Sequence, residues 1–477
     1  MSTGKEIKSI LKHDSRQLSR NKLLLGGGIT LLLLAGLATW NGLSRLHQRQ
    51  ALIAEVTQLE QESNQSIQTT LAEIDQNGGV YNGSRFNDPR VASNALGKGV
   101  ERFAILSVSP FSVVAVGQSD LLPYYYRLTA TKRQSLVHDA EIENAQVLYI
   151  GWFDWAFLLV FVLPLLAIAL TYNLVSSERE GGTLPLLRAG PISFRRITGY
   201  RLGFRCLLLN LAITALLVLT LILADAPVFS ASSALLILLL WAYSGLWFGL
   251  ACFVNSLGRS SGYNATLLVG TWLVLLVVMP ALLNVLVERM HPMPSRIDLI
   301  TLNRELGDKI REEGSKLLSV YYEDHPELVP AGKKINLEDF ALKSFAVNEK
   351  LNKELAPVQA RYTSTLTAQQ GMVANYRFAS PAVLVQESLN ELAGVGYGRY
   401  TDFERQVTDY HAAVVAFVKT KVFGQAEMDA AAYGQLPAFR YETATDGMWQ
   451  GGKLLNVGFL LALTALLLGL GMRGIRF

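Results

Sequence analysis

The stretch Asn173–Arg196, NLVSSEREGGTLPLLRAGPISFRR, ends one long apolar run and stops just before another. It places Glu178, Arg179 and Glu180 ahead of a double glycine, Gly181 and Gly182. An apolar segment follows, with Leu184, Leu186 and Leu187, then Arg188, and Pro191 closes it. A plain connection between two membrane helices needs only a few polar residues. This one carries paired charges, a backbone free to turn where a side chain would clash, and an apolar plug. That combination suits a lever that docks on another protein. An interfacial loop held by lipid headgroups is the blander reading of the same composition.

Working outward, the apolar residues come in blocks long enough to cross about 30 Å of hydrocarbon, which takes roughly 20 helical residues. Half of the 477 residues are hydrophobic and only 17% are charged, against about 25% in an ordinary soluble domain. Six spans are expected, at 23–42, 148–175, 197–224, 233–254, 264–287 and 454–472. All are helices, because in lipid only helices and closed barrels satisfy their own backbone. The fold class is therefore mainly α: a six-span polytopic membrane protein.

Lysine and arginine set the expected orientation. Lys5, Lys8, Lys12, Arg16, Arg20 and Lys22 precede the first span, which is read as a retained anchor and not a cleavable signal. Arg179, Arg188, Arg195 and Arg196 lie between the second and third spans, Arg259 between the fourth and fifth, and Arg473 and Arg476 follow the sixth. The opposite loop, ADAPVFSASS, has no basic residue. Both termini and the 176–196 segment are thus expected in the cytoplasm. Residues 43–147 and 290–451 are expected to form two extracytoplasmic domains, mostly helical.

Within the first of these, Leu52, Val56, Leu59, Ile67, Leu71 and Ile74 recur at helical steps and continue the first span. QNGGVYNGSRFNDPR breaks that helix, since Gly, Asn and Pro favour turns. FAILSVSPFSVVAVGQSDLLPYYY is too short and interrupted to span, and reads as membrane-proximal. In the second, SPAVLVQESLNELAG opens with Ser380–Pro381, a cap followed by proline in the first turn. Ahead of the first span, residues 1–22 read as a basic amphipathic helix for the membrane interface. Ile7, Ile10, Leu11 and Leu18 form its apolar side.

Little in the sequence suggests catalysis. GMWQGGKL, Gly447 to Leu454, approaches a phosphate-binding loop but has Leu454 where a magnesium-binding hydroxyl is needed, and no strand precedes it. GVGYG at Gly394 is equally weak. The histidines are scattered, and Cys206 and Cys252 sit inside apolar spans. No metal site, cofactor or nucleic-acid partner is expected. Asp154, near the end of the second span, is either structural or part of a pathway or gate. Pro164 and Pro280 interrupt the second and fifth spans, which serves gating or is tolerated by packing. Arg205 is expected to reach the inner headgroups.

SEREGGTLPLLRAGPISFRRITGYRLGFR resembles the coupling segment of ABC-2 type exporter permeases, through Glu178, Glu180, Gly182, Thr183 and Leu184. SPFSVVAVGQSDLLPYYYRLTA, GWFDWAFLLVFVLPLLAIALTYNLVSSERE and SPAVLVQESLNELAGVGYGRYTDFERQV are similar to segments of the subgroup with two large extracytoplasmic loops. The resemblance implies a non-catalytic permease subunit of the bacterial inner membrane. Its 176–196 segment would be a coupling helix docked on a separate ABC ATP-binding subunit that holds ATP and Mg. Glu178, Arg179, Glu180, Gly182, Thr183, Leu184, Leu187 and Arg188 would form that contact. A second permease, alike or related, would complete the pathway, with lipids and a periplasmic protein as further partners. Many relatives place lysine early in the third span, where this chain has Arg201 and Arg205. A transmitter that moves an outer protein without transport, and a scaffold or receptor without an ATPase, are the alternatives.

Overall fold

The computed structural model describes residues 3–20, 22–95, 100–117, 122–128, 153–328, 339–443 and 447–475. Within them, six helices are long and apolar enough to cross a membrane: Leu25–Gln76, Trp155–Glu180, Phe194–Leu223, Ala231–Ser256, Ser261–Met290 and Gly452–Gly474. They are called spans one to six. The chain is a mainly α-helical polytopic membrane protein.

Span one belongs to a single 55-residue helix, Lys22–Gln76, about 80 Å long at 1.5 Å per residue. It crosses the apolar layer and runs on into the polar body beyond. The helix Thr3–Arg20 precedes it. Span two does not reach back to residue 148 among the described residues; residues 148–152 lie outside them. Its helix starts at Trp155 because Asp154 caps it, the carboxylate Oδ1 accepting the Phe157 N–H at 2.7 Å. The 176–196 segment is two short helices, Ser176–Glu180 and Leu184–Ala189. Gly182 turns between them with φ +68°. Span three then starts at Phe194, and spans four to six each extend beyond the expected limits.

Spans two and five each contain a π-turn, at Leu158–Val162 and Val274–Val278. Each turn ends two residues before a proline, Pro164 or Pro280. Spans four and six are the most closely packed pair. A Cβ on Gly471 would lie 2.8 Å from the Cys252 carbonyl carbon, and one on Gly249 3.2 Å from the Thr464 carbonyl oxygen. Small residues that let backbones approach are the usual adhesive between helices in lipid.

The two polar pieces share one hydrophobic core. Ile67, Leu71, Val100 and Leu128 from the first pack with Leu318, Phe345, Phe403 and Phe423 from the second. The Tyr126 and Tyr400 hydroxyls meet at 2.6 Å, and Tyr433 donates to the Pro89 carbonyl at 2.8 Å. The first piece adds a two-stranded antiparallel pair, Phe103–Ile105 with Tyr125–Arg127. Its Ser109-capped turn, Pro110–Val113, packs on span one at Gly42, where a side chain would collide with the Val113 carbonyl.

One element of the second piece enters the bundle. Helix Pro381–Ala393 has Ser380 as N-cap, Pro381 in its first turn and Gly394 as a left-handed C-cap. Its Leu384, Val385 and Leu389 are buried in the same core as Trp155, Leu158, Leu236, Leu276 and Leu460.

Candidate functional site

The 176–190 segment sits at the end of the bundle opposite the polar body. Its charged residues Glu178, Arg179 and Glu180 are held from within the chain. Glu178 pairs with Arg201 of span three at 2.7 Å, and its second oxygen accepts from the Thr183 hydroxyl across the glycine turn. Arg179 donates to the Gly258 carbonyl in the turn between spans four and five. Glu180 accepts from both the backbone N–H and the hydroxyl of Ser261, each at 2.7 Å. The Ser176 and Ser261 hydroxyls meet at 2.8 Å. The segment is thereby anchored to span three on one side and to the start of span five on the other.

The break between span two and this segment is bridged by an asparagine. Asn255 of span four donates to the Thr171 carbonyl at 2.9 Å and accepts the Val175 N–H at 3.2 Å. It does for this turn what a helical backbone would have done. Asn264 of span five donates to the Tyr172 carbonyl at 3.2 Å. Buried polar groups need such partners, since an unmet donor or acceptor costs about 1–3 kcal/mol.

Arg205 does not reach headgroups. It is buried and makes a two-point contact with Asp14 of the first helix, Nη2 to Oδ1 at 2.6 Å and Nε to Oδ2 at 3.0 Å. A third bond runs from Nη1 to the Leu170 carbonyl of span two. Arg201 Nε lies 4.0 Å from the same Asp14. Arg205, Asp14, Arg201 and Glu178, in that order, thus form one alternating row of charge joining the first helix, spans two and three, and the 176–190 segment. A buried guanidinium demands such neutralisation, because desolvating a lone charge costs several kcal/mol.

The exposed tip of the segment combines apolar and basic side chains. Leu184 is buried, fixing the second short helix to the bundle, and Leu187 is partly so. Leu186 is 75% exposed at the tip. Gly182, Thr183, Arg188 and Ala189 are exposed beside it. Of the residues expected to meet a partner, Glu178, Arg179, Glu180, Leu184 and Leu187 position the tip. Leu186, expected in the apolar plug but not among the residues the resemblance places in the contact, and Arg188 present it. Exposure of a leucine cannot be read from its place in a LPLLR run, where any of the three leucines could face inward.

The other expected site residues have structural duties. Asp154 caps span two and its Oδ2 accepts the Val116 N–H at 2.9 Å, so both carboxylate oxygens serve backbone groups. Pro164 and Pro280 remove an N–H each, and neighbours supply donors to nearby carbonyls. Tyr243 donates to Val160 at 2.9 Å, and Trp272 of span five to Phe161 at 3.1 Å. Among the described residues, no group of three His, Cys, Asp or Glu is placed to hold a metal ion.

Residues 296–442 match a family described as Domain of unknown function (DUF3526). The match covers the part of the polar body that contains helix Pro381–Ala393. No curated protein and no solved structure matches the chain.

Proposed function

We propose that this chain is the permease subunit of an ATP-driven transporter of the ABC-2 type, an exporter of the bacterial inner membrane. An ATP-binding subunit, with ATP and Mg, would dock on the tip at Leu186 and Arg188. Its closure would push a segment whose other residues transmit the displacement into spans two, three and five. The observation that carries this reading is the tip itself: an exposed leucine on a short helix, braced by Glu178–Arg201 and Glu180–Ser261. A lipid-held loop has no use for bracing from two separate spans. In this reading both termini are cytoplasmic, the polar body lies outside, and a second permease supplies the facing half of the pathway. A partner moves the spans only to the extent that it binds their two arrangements with different free energies.

A second reading has its own support. Helix Pro381–Ala393 carries the polar body into the bundle core, which suits a transmitter that drives an outer protein. The segment's inner role is the same in both.

The test is purification of the tagged chain in mild detergent, followed by mass spectrometry and an ATPase assay. Recovery of a nucleotide-binding subunit that hydrolyses ATP is the expected result. Leu186→Asp should cut that recovery at least about tenfold, the effect of about 1.4 kcal/mol, while the chain's own melting temperature stays unchanged. Purification of the chain without such a subunit moves the scaffold reading to the front.

A further inference from the structure

We propose that Ser380 is a positioning residue that holds span five in its π register, so that the polar body sets how the outer half of that span is turned. Pro280 leaves one carbonyl of span five without its helical donor. In a π-turn each N–H serves the carbonyl five residues back, as the Met279 N–H does for Val274. The next N–H in that register would meet Leu275, but it belongs to Pro280 and does not exist. The Ser380 hydroxyl donates to the Leu275 carbonyl at 2.7 Å. It replaces the missing donor from outside the span.

The same register could be α. There the carbonyl lost to Pro280 is that of Leu276, one residue on, which the Ser380 hydroxyl does not meet. The hydroxyl therefore favours one register over the other. Its position is itself fixed, because Ser380 caps helix Pro381–Ala393, its oxygen accepting the Val383 N–H. One hydroxyl thus uses its acceptor on the helix it starts and its only proton on the span it touches. A second contact seats the same helix, Asn456 of span six donating to Ser388 at 2.9 Å.

A change of one residue in register turns the remainder of a helix by about 100° and shifts it about 1.5 Å. In span five the part affected is Met279–Met290, which leads directly into the residues that match the family of unknown function. The inner half, Ser261–Leu273, keeps Trp272 on the π-turn of span two and should stay in place. This register is set whichever partner docks at the other end.

The experiment uses the full chain in lipid nanodiscs, with Cys206 and Cys252 replaced by alanine. Spin labels at Leu282 and Leu466 report the outer half of span five against span six. Labels at Val269 and Leu466 report the inner half. All three positions are exposed on the bundle surface. Ser380→Ala and Ser380→Gly should each shift or broaden the 282–466 distance by several ångströms and leave 269–466 unchanged. Ser380→Thr, which keeps the hydroxyl, should match the parent. Gly is well tolerated as an N-cap, so a shift with alanine but not glycine would trace the effect to the helix cap and overturn the proposal. An unchanged 282–466 distance in both variants, or equal changes in both label pairs, would overturn it as well.

Discussion

Arg205 and Asp14 are 191 positions apart in the chain and meet in a two-point ion pair closed to solvent. The pair makes the first helix part of the bundle's structure, where its composition alone would leave it lying on a lipid surface. It also ties Arg205 to span two through the Leu170 carbonyl, close to the base of the 176–190 segment.

Asp14→Ala should therefore destabilise the chain strongly, by about 3–5 kcal/mol, because Arg205 is left buried without its counter-charge. Thermal unfolding in detergent measures this. The double variant Asp14→Leu with Arg205→Met should recover most of the loss, since it removes both charges and keeps apolar volume. A double variant as unstable as Asp14→Ala would show that packing of the first helix, and not the charge, carries the effect.

Asn255→Leu removes the side chain that bridges the break after Thr171, leaving the Val175 N–H unmet and the Thr171 carbonyl with the Leu174 N–H alone. The expected cost is about 1–3 kcal/mol, together with faster hydrogen exchange confined to residues 172–183. Exchange unchanged in that window would mean that Asn264 alone secures the turn.

Glu180→Arg should release the segment from the start of span five by destroying both Ser261 bonds. Insertion should be unaffected, and binding of the proposed ATPase should fall. Ser261→Ala, which loses the hydroxyl bond and keeps the N–H bond, should show a smaller fall. Equal effects would argue that residue 180 meets the partner directly.

Glu349 supplies a pH test in the polar body. Burial pushes its carboxyl up, but the hydrogen bonds from Tyr321 and Lys419 outweigh it and hold the group below the usual range. The depressed value means stability that is present above the ordinary carboxylate range and is lost as pH falls through the lowered one. The melting temperature should fall as pH drops below the ordinary carboxylate range, and less steeply in Glu349→Gln.

Cysteine labelling in intact cells tests the orientation. Lys316→Cys and Gln76→Cys, at exposed positions of the polar body, should react with an impermeant reagent, and Arg188→Cys should not. Ser176 would be a poor reporter, because it is buried and stays silent from either side. Labelling of Arg188→Cys would invert the topology and remove the proposed ATPase docking.

The six spans were legible because a run of about twenty apolar residues has few other uses. The turn in the 176–190 segment was legible from its glycines, and the start of helix Pro381–Ala393 from Ser380 and Pro381. The destination of that helix was not. Its alternation of Leu, Val and charged residues fits a helix on a water-soluble core as well as one seated in a bundle. The Asp14–Arg205 pair was equally hidden, since nothing local to either residue names a partner so distant. Pro164 and Pro280 pointed to interrupted helices, but the donors that compensate them, Tyr243, Trp272 and Ser380, come from elsewhere in the chain. Glu178, Glu180 and Arg179 of the opening stretch read as free for a partner because sequence cannot show that Arg201, Ser261 and the Gly258 carbonyl already hold them.

The glycine contacts between spans four and six set an order of assembly. Gly245 and Gly249 form a groove whose filling, Thr464 and Leu467, is made more than two hundred residues later. While the polar body is being synthesised, span four has no such neighbour. The bundle therefore closes as the last act of biogenesis, after the polar body has been synthesised. A chain stopped before residue 452 should be inserted and yet remain an open target for membrane proteases.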